Sequence, residues 1–148
     1  MKSLKTIVVA FLVFTVALTP SSPVYGLTGG NDGHRIPSDL SQRCPQFEQA
    51  FRRYGLLPVS TFSYISWREA RCRIKATNIR RDRQGRPIWT LNANGTYDSG
   101  LLQINSSWRT VTRQVCGGDL DKLLELDCNL RVGKYLLEHG GLSHWSLG

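Results

Sequence analysis

Apolar residues recur along the chain at spacings that divide it into elements. Phe47, Ala50, Phe51 and Tyr54 are three or four residues apart, which is the spacing of one face of a helix. Gly55 follows directly and is typical of a helix end. The pattern therefore predicts a first helix that begins near residue 44 and stops before this glycine.

A second helix carries a polar residue on its apolar face. Pro58, followed by serine and threonine, is typical of a helix start. The positions that share one helical stripe are Phe62, Ile65, Glu69 and Cys72. The stripe places Glu69 on the face expected to pack, where burial favours the protonated form that a general acid needs. The alternative is a glutamate at a helix end, paired with one of its arginine neighbours (Arg68, Arg71 and Arg73).

The middle of the chain changes from helical to turn-forming patterns. Residues 80–87 are polar and rich in arginine, residues 88–91 have the composition of a short strand, and Asn94-Gly95 is a hairpin signal. Residues 100–105 form a short apolar segment whose length fits either a buried helix or a strand. We expect a small antiparallel hairpin here.

The last third of the chain returns to helical patterns. Residues 119–126 predict a short helix, and a longer one begins at Asp127 and is apolar on more than one side. Gly140-Gly141 ends it. The pattern as a whole predicts an α+β fold, mainly α, in which one small β-hairpin is inserted into a helical domain.

The first 26 residues have the order of a secretory signal peptide. Lys2 and Lys5 precede an apolar run over 7–18, and prolines and small residues follow. The run is about a dozen residues, short of the roughly 20 that span a bilayer, so an uncleaved membrane anchor is the less favoured alternative. We expect a flexible leader over 27–43, a single domain over 44–148, and secretion to the extracellular space, the periplasm or the cell wall.

Four cysteines fall in the predicted mature domain: Cys44, Cys72, Cys116 and Cys128. An even number in an exported protein indicates two disulfides with three pairings to choose from. Cys44–Cys72 and Cys116–Cys128 are favoured because each would tie neighbouring helices together. No pair has the spacing of a zinc site, and the three histidines are scattered singly (His34, His139 and His144). The sequence therefore indicates no metal and no cofactor.

The net charge of +8 indicates attraction to polyanions. Anionic cell walls, nucleic acids and membrane surfaces all qualify, and charge does not choose among them. Four arginines between 80 and 86 could serve a nucleic-acid binder, but a solvated basic loop is the favoured interpretation because it needs no partner.

Residues 94–108 have a composition that suits a sugar-binding cleft. Gln103 and Asn105 can donate and accept hydrogen bonds with hydroxyl and N-acetyl groups. Trp108 offers an apolar face to a pyranose ring, and Gly100 lets the backbone approach a ligand. On residue types alone, a hairpin followed by an ordinary buried segment is equally favoured.

Two stretches resemble the lysozyme-like superfamily of peptidoglycan-cleaving enzymes. Residues 67–72, Trp-Arg-Glu-Ala-Arg-Cys, resemble the helix end that bears the catalytic glutamate of lysozymes and lytic transglycosylases. Residues 95–108 resemble their G-(S/T)-x-D-x-G-(L/I)-(L/F/M)-Q-I-N-S-x-W block. Residues 128–136 resemble a helix of the transglycosylase group. The block at 95–108 is close both to animal-type lysozymes and to the transglycosylases of bacterial secretion systems, and the ending is more like that of phage versions. The likeness spans about residues 44–145.

The resemblance implies a lysozyme-like fold and a role for each matching residue. Glu69 matches the catalytic acid, and Asp98 matches the second carboxylate of animal-type lysozymes. Substrate contacts are implied for Gln103, Asn105, Trp108, Asn129 and Tyr135. One departure is that no stretch of the sequence matches the A-Y-N-A-G motif with which the transglycosylase group closes the cleft, so one wall is unassigned.

The implied function is cleavage of the β-1,4 bond between N-acetylmuramic acid and N-acetylglucosamine in peptidoglycan. A lytic transglycosylase, which can manage without Asp98, is slightly favoured over a hydrolase. The expected partner is the glycan strand, bound by a monomer, with no nucleic acid and no membrane insertion after signal cleavage. A non-catalytic peptidoglycan-binding protein and a basic nucleic-acid-binding protein are the alternatives.

Overall fold

The computed structural model of the chain describes residues 36–84 and 87–147, with only the backbone for residues 79–81 and 87–89. The predicted signal peptide and residues 27–35 of the predicted leader lie outside this range. The rest of the leader is folded: Leu40–Gln42 form a 3₁₀ turn capped by the Asp39 side chain, and Ile36 packs against the core. The prediction of a flexible leader is therefore wrong from residue 36 onward.

The first two helices agree with the apolar pattern. Helix α1 spans Glu48–Tyr54 and ends at Gly55, whose φ of 68° only glycine adopts at little cost. Helix α2 spans Val59–Ala70. It is shorter than the predicted stripe, because Arg71 and Cys72 both have positive φ and turn the chain away from the helix axis.

Two small antiparallel sheets follow α2. Strand β1 (Ile79–Arg81) pairs with β2 (Pro87–Trp89), and β3 (Asp98–Ser99) pairs with β4 (Ile104–Asn105). The predicted hairpin at Asn94-Gly95 is wrong, since these residues close a local turn, with the Asn92 amide donating to the Thr96 carbonyl at 2.7 Å, and they join no paired strands. Residues 80 and 81 of the arginine-rich segment belong to strand β1 instead.

The C-terminal half is helical. Helix α3 (Arg109–Cys116) precedes a 3₁₀ turn at Leu120–Leu124, and helix α4 (Leu126–Gly140) leads into a second 3₁₀ turn at Gly141–Trp145. The sequence pattern did not predict α3, whose buried positions are only Val111 and Thr112. Among the described residues, no helix is long and apolar enough to cross a membrane.

The core forms where α4 packs against the other helices. Leu130, Val132 and Leu136 of α4 are buried together with Phe51 of α1 and Phe62 of α2. The described chain is thus mainly helical with two small antiparallel sheets, which confirms the predicted fold class at that level.

Both favoured disulfides are present. Cys44–Cys72 ties the start of α1 to the end of α2, and Cys116–Cys128 ties α3 to α4. Cys72 of the first disulfide is three residues after Glu69. The disulfide therefore restrains the segment that follows the end of α2.

Candidate active site

A cleft of about 370 Å³ opens beside the C-terminal end of α2. The side chains that line it are Glu69, Asn78, Asp98, Gln103, His144, Trp145 and Ser146. Three of them were predicted from the sequence as site residues, although they lie on a helix, a strand and a turn. All but the tryptophan are polar, which suits a ligand rich in hydroxyl and amide groups.

Glu69 lies in the last turn of α2 and is only partly enclosed. Its side chain is 30% exposed, and Arg68 forms an ion pair with it at 2.6 Å between Nη2 and Oε1. The Arg68 Nε also donates to Oε1, at 2.9 Å. The expected enclosure by apolar side chains is therefore wrong, and the arginine pairing weighed as the alternative is present.

The two oxygens of Glu69 have different surroundings. Arg68 occupies Oε1 with two hydrogen bonds, and none of the described residues donates to Oε2. A carboxyl group held in this way keeps one oxygen for exchange of a proton with a bound molecule.

Asp98 begins strand β3 and is held by neutral amides. The Asn105 Nδ2 donates to one carboxylate oxygen at 2.8 Å, and the Asn92 Nδ2 donates to the other at 3.0 Å. Both amides also donate to the Thr96 hydroxyl, at 2.8 and 3.1 Å. Asn105 is not among the cleft-lining residues, and its link to the cleft is this hydrogen bond to Asp98.

Gln103 lies in the turn between β3 and β4, where its φ of 49° bends the chain. Its Nε2 donates to the carbonyls of Gly100 and Ala76 at 2.8 and 3.2 Å. The amide nitrogen is therefore used to hold the turn, and the carbonyl oxygen is the part left for a ligand.

Asn129 holds the turn between β3 and β4 through hydrogen bonds to its backbone. It is fully buried, with its Oδ1 accepting from the Leu102 amide at 2.9 Å. Its Nδ2 donates to the carbonyls of Ser99 and Leu123 at 3.1 and 2.9 Å. The prediction that Asn129 binds the glycan is wrong, because its amide group is consumed by the backbone.

Gly100 packs directly against the buried Asn129 side chain. Its φ is 82°, and an added Cβ would lie 2.1 Å from the Asn129 Nδ2 and 2.2 Å from the Leu123 carbonyl oxygen. A side chain at this position would separate the turn from α4. The glycine is therefore required by packing, and the predicted approach of a ligand to its backbone is not the reason for it.

Trp108 and Tyr135 lie outside the cleft lining. Trp108 packs edge-on against His144, with ring centroids 5.4 Å apart, and reaches the site through that contact. The Tyr135 ring stacks on His139, with centroids 3.9 Å apart. The structure therefore places Trp108 next to a cleft-lining residue, and the contacts of Trp108 and Tyr135 with the glycan stay predictions.

Residues 144–146 form one wall of the cleft, and the sequence did not assign them to the site. His144 and Ser146 are exposed, whereas Trp145 is 4% exposed and donates from Nε1 to the Leu102 carbonyl at 2.9 Å. Sequence reasoning treated His144 as an isolated histidine. The His-Trp pair near the end of the chain was the only available signal, and its position beside Glu69 depends on tertiary packing.

No metal centre is evident in the described part of the chain, where no three His, Cys, Asp or Glu side chains come close enough to hold an ion. Comparison with protein-family models and with curated protein sequences gives no match to this chain.

Proposed function

We propose that this protein is a secreted lysozyme-like enzyme that cleaves the β-1,4 bond between N-acetylmuramic acid and N-acetylglucosamine in peptidoglycan. The supporting observation is that Glu69, Asp98 and Gln103, which the resemblance assigns to the site, line one polar cleft. The resemblance alone matches them by sequence position, so their proximity is independent support. The two disulfides are compatible with export to an oxidising compartment.

Glu69 is the general acid and base of the proposed reaction. Its Oε2 donates a proton to the glycosidic oxygen as the bond to the anomeric carbon breaks, and positive charge develops on the sugar ring. The Asp98 carboxylate in the same cleft stabilises that charge. Glu69, now ionised, then takes a proton from the oxygen nucleophile that attacks the anomeric carbon.

The nucleophile distinguishes two products. Attack by the muramic 6-hydroxyl closes an anhydro sugar, which is the transglycosylase route, whereas attack by water leaves a reducing end. We favour the transglycosylase route, because both oxygens of Asp98 are already hydrogen-bonded by asparagine amides, which suits a fixed charge better than a covalent nucleophile.

Mass spectrometry of the products tests the proposal. The purified, disulfide-bonded protein is incubated with peptidoglycan, and the soluble fragments are compared with those from Glu69→Gln. We expect anhydro-muramic ends from the wild type and no fragments from the variant. Binding of peptidoglycan with no fragments from either protein would reject catalysis and identify a binding protein instead.

A further inference from the structure

We propose that Arg68 is a positioning residue, which fixes the Glu69 carboxylate relative to the wall of the cleft formed by residues 144–146. Arg68 lies beside the proposed acid, and its catalytic role rests on the proposed function. Its structural part, the coupling between the end of α2 and the C-terminal turn, can be measured independently of activity.

The Arg68 guanidinium serves two acceptors at once. Its Nε and one hydrogen of Nη2 are directed to Glu69 Oε1, at 2.9 and 2.6 Å. Nη2 also donates to the carbonyl oxygen of Trp145, a short contact that uses its second hydrogen. The planar group can satisfy both acceptors because its donors are arranged in a rigid fork, an arrangement that an ammonium group does not reproduce.

The Trp145 carbonyl belongs to a residue that is anchored in the core. The indole ring of Trp145 is buried, packs edge-on against Phe62 at 5.4 Å between centroids, and donates to the Leu102 carbonyl. Leu147, two residues on, is 2% exposed. Arg68 therefore ties Glu69 to a segment that the core already anchors.

The Arg68 side chain also contacts an aromatic ring of its own helix. Its Cζ lies 5.9 Å from the centroid of the Tyr64 ring, one turn earlier on α2, and the side chain is 29% exposed. A guanidinium restrained on this side and hydrogen-bonded on the other has little freedom to leave Glu69. The consequence is that Oε1 is immobilised and Oε2 keeps a constant direction toward bound substrate.

Arg71 provides a matched control on the same helix end. Its Cζ lies 4.1 Å from the centroid of the Trp67 ring, so it too is an arginine stacked on an aromatic side chain of α2. Among the described residues, neither Glu69 nor Trp145 is hydrogen-bonded to it. A substitution here removes the same charge and a similar stacking contact without touching the proposed coupling.

The test compares Arg68→Met, Arg68→Lys and Arg71→Met with the wild type. For Arg68→Met we expect kcat to fall about ten- to a hundredfold, the scale of a misplaced catalytic group, while KM stays within about twofold. Arg68→Lys retains one contact to Glu69 and is expected to fall between. Arg71→Met is expected to keep both constants within about twofold of the wild type.

Amide hydrogen exchange reads the structural coupling directly. The amides of Ser146 and Leu147, which donate to the carbonyls of Ser143 and Leu142, should exchange faster in Arg68→Met but not in Arg71→Met. Unchanged protection of core amides in α4 shows that a variant is folded. Wild-type exchange at both amides, or a wild-type kcat, in folded Arg68→Met overturns the proposal. Absence of activity from the wild type rejects the proposed function, and the exchange experiment still decides the coupling.

Discussion

The two carboxylates of the cleft are held by opposite means. Glu69 lies at the end of a twelve-residue helix and is paired with a guanidinium that takes one of its oxygens. Asp98 lies on a strand of two residues and has each oxygen bonded by a neutral asparagine amide. A charged partner on one oxygen leaves the other available, whereas two neutral partners fix the whole group and leave its charge uncompensated.

This difference separates the roles that the two groups can take. Glu69 has an oxygen that can exchange a proton, and Asp98 provides a stationary negative charge. If the two carboxylates had the same hydrogen-bond partners, one could not be assigned to proton transfer and the other to charge stabilisation. Substitutions on each side test whether the division holds.

The largest effect is expected from Glu69→Gln, because it removes the only proton donor that we assign. Glutamine keeps the shape and an oxygen that can accept from Arg68. Release of soluble fragments from peptidoglycan should fall by about 10²- to 10⁴-fold, the usual contribution of general acid–base catalysis. A folded variant that released fragments at the wild-type rate would contradict the assignment of Glu69.

On the Asp98 side, the largest expected effect is on stability. Asn129→Ala leaves the Leu102 amide and the carbonyls of Ser99 and Leu123 without their buried partner. We expect the free energy of unfolding to fall by about 3 kcal/mol, measured by urea denaturation. Glu138→Ala on the same helix removes only an exposed ion pair with Lys134 and should change it by less than about 0.5 kcal/mol. Equal effects of the two would show that Asn129 does not support the turn.

Asp98→Asn should have a smaller effect on activity than Glu69→Gln. The new amide can accept from only one of the two asparagines, so the strand loses one hydrogen bond as well as the charge. On the transglycosylase route we expect activity to fall by no more than about tenfold, equivalent to roughly 1.4 kcal/mol of barrier. A loss as large as that of Glu69→Gln, with the fold intact, would instead favour the hydrolase.

The smallest effect is expected at a carboxylate outside the cleft. The Tyr54 hydroxyl donates to Asp127, and this hydrogen bond lowers the pKa of the carboxyl group below its usual range. A carboxyl group with a lowered pKa in the folded state stabilises the fold above its unfolded pKa of about 4, and this contribution is lost as the pH falls through the folded value.

Tyr54→Phe should therefore melt slightly earlier than the wild type near pH 6, and the difference should be smaller near pH 3. Thermal unfolding followed by circular dichroism at both pH values measures it. The group is exposed, so solvent screens the interaction and the shift should be small. A difference that grew on acidification would have the wrong sign for this hydrogen bond.

The sequence predicted those elements whose local pattern and tertiary environment agree. Helix α4 is apolar on more than one side and is central to the core, and Gly55 ends α1 as its type predicts. Helix α3 was missed because four of its eight residues are β-branched and lower its helix propensity, and its place depends on packing against α4. The Asn94-Gly95 turn forms, but a turn signal does not determine whether its flanks pair.

The site was predicted in part for the same reason. Glu69, Asp98 and Gln103 lie in stretches whose residue order carried information, and they line the cleft. Asn129 was misassigned because sequence does not reveal whether an amide faces a ligand or the backbone. His144 and Ser146 could not be placed, since the return of the C-terminal turn to the end of α2 is a property of the folded core.

The close packing of Gly100 against Asn129 limits where this cleft can be redesigned. No side chain fits at residue 100, so the floor beneath β3 and β4 is closed to variation. The wall formed by residues 144–146 is more permissive at its exposed positions, His144 and Ser146, although the φ of 53° at Ser146 disfavours β-branched side chains there. A library aimed at changing what the cleft binds should therefore randomise these two positions and leave the glycine untouched.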